Sequence, residues 1–501
     1  MSHLKANILA NYFSQIYVTL VGILLLPMYI KYMGSEAYGL IGFFAMLQAW
    51  FGVLDLGLTP TIGRETARYK GGAITALAFR QLYRALMVIF IIVAFVAGSV
   101  LFSLSNFIAT KWLNLEVLPV GDVVIAVQIM AISVALRWMC GLFRGVVSGS
   151  EQLVWLSCFN AFIATLRFVG VFLSMWYFGF TPLVFFIHQF FVAVTEIVIL
   201  AIKAQKLLPN KKNLRRDIGW SFEPIKPVLK FSLTIAFTAA IWVIVTQTDK
   251  LILSGILSLE DYGNFTLAVL VANGIMMVSG PISSAIMPRM ARLHAENQRE
   301  EMIALYRKST QLVAILAGSA AITLIIASKP LLIAWTGDVQ LALKAGPILS
   351  LYAAGNLFLC MAAFSYYLQY AKGSLRYHLI GNIGLVVVLI PAVIFAAINL
   401  GAVGAGFIWL IMNFSFFFFW VTFVHYKLEP SLHFKWLLND TLKIVMPSFT
   451  AGLLFFYFFS NSIGTDRFMN VIFVIVTGIV VITVSLFSSD RIISTFKRRL
   501  R

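Results

Sequence analysis

Fourteen times between Ile8 and Phe487 the chain runs for 17 to 26 mostly apolar residues and then breaks briefly into polar ones. The runs are 8–30, 37–60, 85–106, 122–143, 153–177, 182–202, 231–256, 262–287, 310–328, 345–370, 378–398, 403–424, 444–460 and 468–487. About 20 apolar residues in a helix cross the hydrocarbon core of a bilayer, so each run is of spanning length. Lipid offers the backbone no hydrogen-bond partner, and a helix satisfies its own. The pattern predicts an all-α, polytopic membrane protein of about fourteen transmembrane helices. Composition agrees: 60% of the residues are hydrophobic and only 12% charged, too few to solvate a soluble domain of this length. A net charge of +18 would suggest nucleic acid in a soluble chain. Here the basic residues only punctuate apolar runs, and no nucleic-acid partner is expected.

Those basic residues are distributed unevenly. With the N-terminus inside, 30 of the 38 fall in cytoplasmic segments. Only Lys31, Lys111, Lys329, Lys344 and Arg467 face the other side, and Arg137, Arg167 and Lys250 lie within helices. The positive-inside rule then puts both termini in the cytoplasm. Every outer loop is short, which leaves no room for an extracytoplasmic catalytic domain. No small-residue cleavage site follows the first run, so it reads as a retained helix. Cys140, Cys158 and Cys360 all sit in apolar segments, which argues against a disulfide framework. There is no P-loop and no paired metal-ligand motif, and the six histidines are scattered; neither an enzyme nor a cofactor is expected.

The chain also repeats itself. Glu36-Ala37-Tyr38-Gly39 matches Glu260-Asp261-Tyr262-Gly263, Ala67-Arg68 matches Ala291-Arg292, and Gly149-Ser150 matches Gly373-Ser374, each displaced by 224 residues. Asn160 then matches Asn382 and Gly179 matches Gly401 at an offset of 222. The expected organisation is an N-terminal lobe over 1–204, a basic cytoplasmic linker over 205–230, a C-terminal lobe over 231–426, and two extra helices with a basic tail over 427–501. Six helices per repeat give the lobes the same orientation, related by a pseudo-twofold axis along the membrane normal. Such duplication commonly builds a cavity that opens alternately to each side, which favours transport.

Ionisable groups inside a bilayer cost about 2.5–3.5 kcal/mol each at a helix centre, so each asks for a role. Arg167 lies mid-helix and is the leading candidate to line a wet cavity rather than form a structural ion pair. Arg137 and Lys250 are the other cations; Lys250 shares a helical face with Gln247 and Ser254. Asn7, Asn11 and Gln15 form a polar stripe on the first helix, so Asn11, Gln15 and Gln247 are candidate cavity-lining residues. Asp55, Glu196 and Asp249 are the acids available for ion coupling, each weighed against a plain packing role. The aromatic run Phe416 to Trp420 is read as lipid-facing or packing.

Residues Asn7 to Arg68, with Pro27, Gly34-Ser35-Glu36-Ala37-Tyr38-Gly39, Asp55-Leu56-Gly57-Leu58 and Arg64, resemble the polysaccharide-transporter branch of the multidrug/oligosaccharidyl-lipid/polysaccharide exporter superfamily. Asp249-Lys250 and Leu259 to Gly263 resemble the start of that family's second half. The resemblance implies an O-antigen-type flippase in the bacterial inner membrane, moving an undecaprenyl-diphosphate-linked oligosaccharide from the cytoplasmic to the periplasmic leaflet. It further implies membrane lipid as a partner and work alongside a polysaccharide polymerase and a chain-length regulator; it does not fix the energy source, for which proton and sodium coupling are the candidates. The alternatives are a cation-coupled multidrug exporter of the same superfamily and a non-transport component of a polysaccharide-assembly complex.

Overall fold

A computed structural model describes residues 2–210, 226–460 and 464–489. Most of the 205–230 linker and the basic tail beyond 489 lie outside the described residues, as do the side chains of Asn7 and Asn11. Apolar runs become helices as expected. The membrane-crossing set is α1 (Ser2–Leu24, continued by Leu26–Met33), α2 (Ser35–Asp55), α3 (Ala76–Ser103), α4 (Val120–Gly149), α5 (Leu153–Phe178), α6 (Pro182–Leu207) and α7 (Lys226–Ile256). It continues with α8 (Leu259–Ala295), α9 (Arg299–Ile326), α10 (Val339–Ala371), α11 (376–400), α12 (402–428), α13 (His433–Phe459) and α14 (Arg467–Phe487). Among the described residues the one β feature is an isolated bridge between Asn114 and Ser258.

Local chemistry sets the boundaries. Thr181 caps α6 by accepting the Val184 N–H, with Pro182 at the first turn, and Asp338 caps α10 by accepting the Leu341 N–H. No loop separates α11 from α12. Gly401 alone turns the chain, at φ 58° and ψ −144°, and its sequence match Gly179 ends α5 at φ 102°. Both halves of the repeat thus place a glycine where a side chain would be strained. The second helix stops earlier than its apolar run, which continues to residue 60. Leu56 and Gly57 both adopt left-handed conformations, and the short helix Leu58–Lys70 restarts the chain.

The chain divides into two compact units, 1–263 and 264–501. In the first, α4 packs along α6, α3 and the Leu58–Lys70 helix, while α1 packs along α5. Gly141, Gly145 and Gly149 form a stripe on α4 that lets the short helix approach closely; a Cβ on Gly145 would lie 2.8 Å from the Thr59 carbonyl oxygen. The loop before α4 is held by Glu36, whose carboxylate accepts the N–H groups of Glu116, Val117 and Leu118 at 2.8–3.0 Å. In the second unit α9 packs against α10, α13 and α14. Hydroxyls join three of these helices inside the apolar core: Ser319 donates to Ser485 at 2.9 Å, and Ser485 lies 2.7 Å from Ser448.

Candidate functional site

The polar groups of the first unit are concentrated where α4, α5 and α6 meet. Each helix contributes two, seven residues apart and hence on one face: Arg137 and Arg144, Asn160 and Arg167, Gln189 and Glu196. Seven residues rise about 10 Å, so the groups form two levels. At one level Arg144 donates to Asn160 Oδ1 at 2.5 Å and to Glu196 Oε1 at 2.6 Å. At the other, Arg137 donates to Gln48 Oε1 at 2.9 Å and to Gln189 Oε1 at 2.6 Å, and its guanidinium lies over the Phe44 ring. Arg167 links the levels by pairing with Glu196 Oε2.

A widened turn in α5 sets the direction of Arg167. Residues Thr165–Gly170 form a π-helical segment, which loosens the usual carbonyl pairing. Three carbonyls at this turn accept from side chains of neighbouring helices: Leu166 from His188 at 2.9 Å, Arg167 from Gln189 at 3.0 Å, and Phe168 from the Tyr29 hydroxyl at 2.7 Å. A carbonyl only accepts, so His188 Nε2 donates to it, while Nδ1 lies 2.8 Å from the Ser174 hydroxyl. No backbone group of this turn is left to lipid at those three positions.

Electrostatically the cluster is a cationic seat. Three arginines face one carboxylate, and Arg137 has only neutral hydrogen-bond partners among these groups. The Nε–H groups of Arg137 and Arg167 are buried without a partner among the described residues. An arrangement of this kind can bind an anion with several acceptor oxygens, because guanidinium groups present paired donors. Among the described residues no three His, Cys, Asp or Glu side chains are placed to hold a metal ion.

The structure therefore brings Arg137, Arg167 and Glu196 together, and adds Arg144, which the sequence reading assigns to a cytoplasmic segment because the apolar run ends at Phe143. It also adds Gln48, Asn160 and Gln189. The heptad spacing of the three polar pairs is the sequence signal that would have found most of them. Lys250 is held instead on its own helix, donating to the Thr246 carbonyl at 2.5 Å and lying 3.6 Å from Asp249. Gln247 reaches the Thr246 hydroxyl, and Gln15 is exposed, its carbonyl accepting from the Thr19 hydroxyl. Asp55 caps the Leu58–Lys70 helix, accepting the Thr59 N–H at 3.2 Å and its hydroxyl at 2.5 Å.

Comparison with known proteins bears on this geometry. A family model described as polysaccharide biosynthesis protein matches residues 4–294. No curated protein matches the sequence. Among solved structures, the lipid II flippase MurJ in an inward closed conformation is similar with a TM-score of 0.71, at 14% identity and with 99% of each chain covered. An inward-facing multidrug resistance MATE family transporter is similar at 0.64, with 13% identity over 83% of this chain and 96% of the other. The MATE multidrug transporter DinF-BH is similar at 0.61, with 14% identity over 86% and 96%. At such identities the likeness establishes the fold alone, one shared with polytopic transporters. With more than half of its length matched by the family model, the chain belongs to the polysaccharide biosynthesis protein family and has the fold of MOP-superfamily transporters.

Proposed function

We propose that the protein is a flippase that carries an undecaprenyl-diphosphate-linked oligosaccharide, an O-antigen unit or a similar surface-polysaccharide repeat, from the cytoplasmic to the periplasmic leaflet. The observation that carries this reading is the cationic seat of Arg137, Arg144 and Arg167, built inside a bilayer-spanning bundle with a single carboxylate to balance it. Cations within hydrocarbon are costly, and an anionic diphosphate that must cross it is a reason to retain them. The family's role in polysaccharide biosynthesis and the fold shared with a lipid II flippase support the same reading.

In this reading the lobes 1–204 and 231–426 move in alternating access, and the helices after 427 help accommodate the polyprenyl tail. Lys250 adds cationic character from α7, while Gln15 and Gln247 line the polar route. Glu196, Asp55 and Asp249 are the acids available to couple transport to protons or sodium. The protein lies in the bacterial inner membrane with both termini cytoplasmic, working beside a polymerase and a chain-length regulator.

The test is where the lipid-linked unit goes on depletion of the protein. Accumulation on the cytoplasmic leaflet supports a flippase; accumulation of single units on the periplasmic side would place the protein after translocation and overturn the reading. Arg167→Ala should abolish surface-glycan export from a membrane-inserted protein, with Arg167→Lys restoring only part of it, since an ammonium lacks the paired donors. Normal export by a well-expressed Arg167→Ala protein removes Arg167 from the site.

A further inference from the structure

Glu196 occupies an unusual position for a carboxylate in a site proposed to bind an anion. Both of its oxygens are engaged, one by Arg144 from α4 and one by Arg167 from α5. It is 2% exposed, whereas the arginine side chains keep 29% and 25% of their surface open. The carboxylate is thus more enclosed than Arg144 and Arg167, both of which keep part of their side-chain surface open. Any incoming anion meets donors that are already partly committed to Glu196.

We propose that Glu196 is a resident anion in the diphosphate seat: a lipid-linked diphosphate takes Arg144 and Arg167 over from Glu196, and the released carboxylate takes up one proton from solution. This rests on the functional reading above and specifies how its site is regulated. Two physical arguments support the exchange. Phosphate oxygens offer guanidinium groups the same paired acceptor geometry as a carboxylate, so the two anions compete for the same donors. A carboxylate left at this depth without its partners pays a large desolvation penalty unless it becomes neutral, and protonation is the available route.

The surroundings of Glu196 contain few other groups to take that proton. From α4 it faces Arg137, Cys140 and Arg144, and from α5 Arg167 and the neutral Asn160. On α6 itself, His188 is held by the Leu166 carbonyl and the Ser174 hydroxyl and has no contact with Glu196 among the described residues. Binding and proton uptake are thereby joined in one residue. Reversal of the exchange, with loss of the proton, restores the carboxylate, which reclaims both arginines and releases the diphosphate.

The test is calorimetric titration of the full-length protein in nanodiscs with farnesyl diphosphate, in buffers of different ionisation heat. Wild type should take up about one proton more per bound ligand than Glu196→Gln. The Gln variant, whose arginines have lost their competitor, should bind about tenfold tighter, a difference of about 1.4 kcal/mol. A readout needing no variant is the infrared C=O band of a protonated carboxyl, which should appear when farnesyl diphosphate is added to wild type. Equal proton uptake, Gln-variant binding no tighter than wild type, or absence of the new band overturns the exchange while leaving the flippase reading intact. Failure of both proteins to bind the diphosphate overturns the exchange and the reading together.

Discussion

Arg144 and Glu196 show how a single side chain is misjudged when its helix is cut too short. Hydropathy ends the fourth segment at Phe143 because a guanidinium follows, but the backbone continues to Gly149 and its next turn faces α5 and α6. The charge is carried inward because a carboxylate and an amide wait for it there. Arg137 and Arg167 were legible as exceptions to the charge asymmetry; their partners were not, since one-dimensional spacing does not say which helices are neighbours. Arg144→Ala should leave Glu196 with Arg167 alone and lower thermal stability in detergent, by less than the about 3–5 kcal/mol typical of breaking a buried pair outright. A double variant with Glu196→Ala should recover part of that loss, because no uncompensated carboxylate remains.

A second buried carboxylate gives a pH-dependent expectation. Glu429, between α12 and α13 and 2% exposed, accepts from Arg299 at 2.5 Å and lies 2.7 Å from the Lys372 ammonium. Burial works to raise its carboxyl, but the hydrogen bonds and charges of Arg299 and Lys372 outweigh this and hold it below the usual carboxylate range. A group lowered on folding contributes stability above its unfolded pKa, about 4.3, and loses it as pH falls through the lower folded value. The melting-temperature advantage of wild type over Glu429→Gln should therefore be full at neutral pH and shrink on acidification below the ordinary carboxylate range. An advantage that grew with acid would contradict the assignment.

At the scale of elements, the helices were legible because hydrocarbon admits little else, while their ends were set by chemistry that hydropathy does not weigh. The ninth segment reads as starting at 310, but α9 begins at Arg299, its charged first turns satisfying their backbone just as apolar ones do. The left-handed pair Leu56-Gly57 ends α2 within what looks like one run, because Asp55 caps the following helix. The crossing of that short helix with α4 depends on absent side chains. Gly145→Leu should force the pair apart, costing about 1–3 kcal/mol or more by overpacking and lowering the yield of folded protein. Gly145→Ala should be milder, and a Leu variant as stable as wild type would show that the stripe is not needed for packing.

For the whole molecule, five short matches suggest a duplication, and at one of them both glycines, Gly179 and Gly401, have positive φ. The orientation proposed from the charge asymmetry is tested by topology reporters. Reporter fusions at the C-terminus should be active only as cytoplasmic reporters, and fusions within the loop around Gly337 only as periplasmic ones; the reverse pattern would invert every assignment of side made from the basic residues. What remained unreadable was the grouping of helices, because packing neighbours are chosen by shape and by paired polar groups that lie far apart in sequence.

The widened turn of α5 has a consequence for movement. The carbonyls of Leu166, Arg167 and Phe168 are each gripped by a different side chain, two from α6 and one from α1. Such a helix is indexed like a keyed shaft: turning it by one residue, about 100°, would slip all three keys at once. Helices α1, α5 and α6 should accordingly travel as one block whenever the protein changes state, with bending confined to stretches whose backbone no neighbour reads.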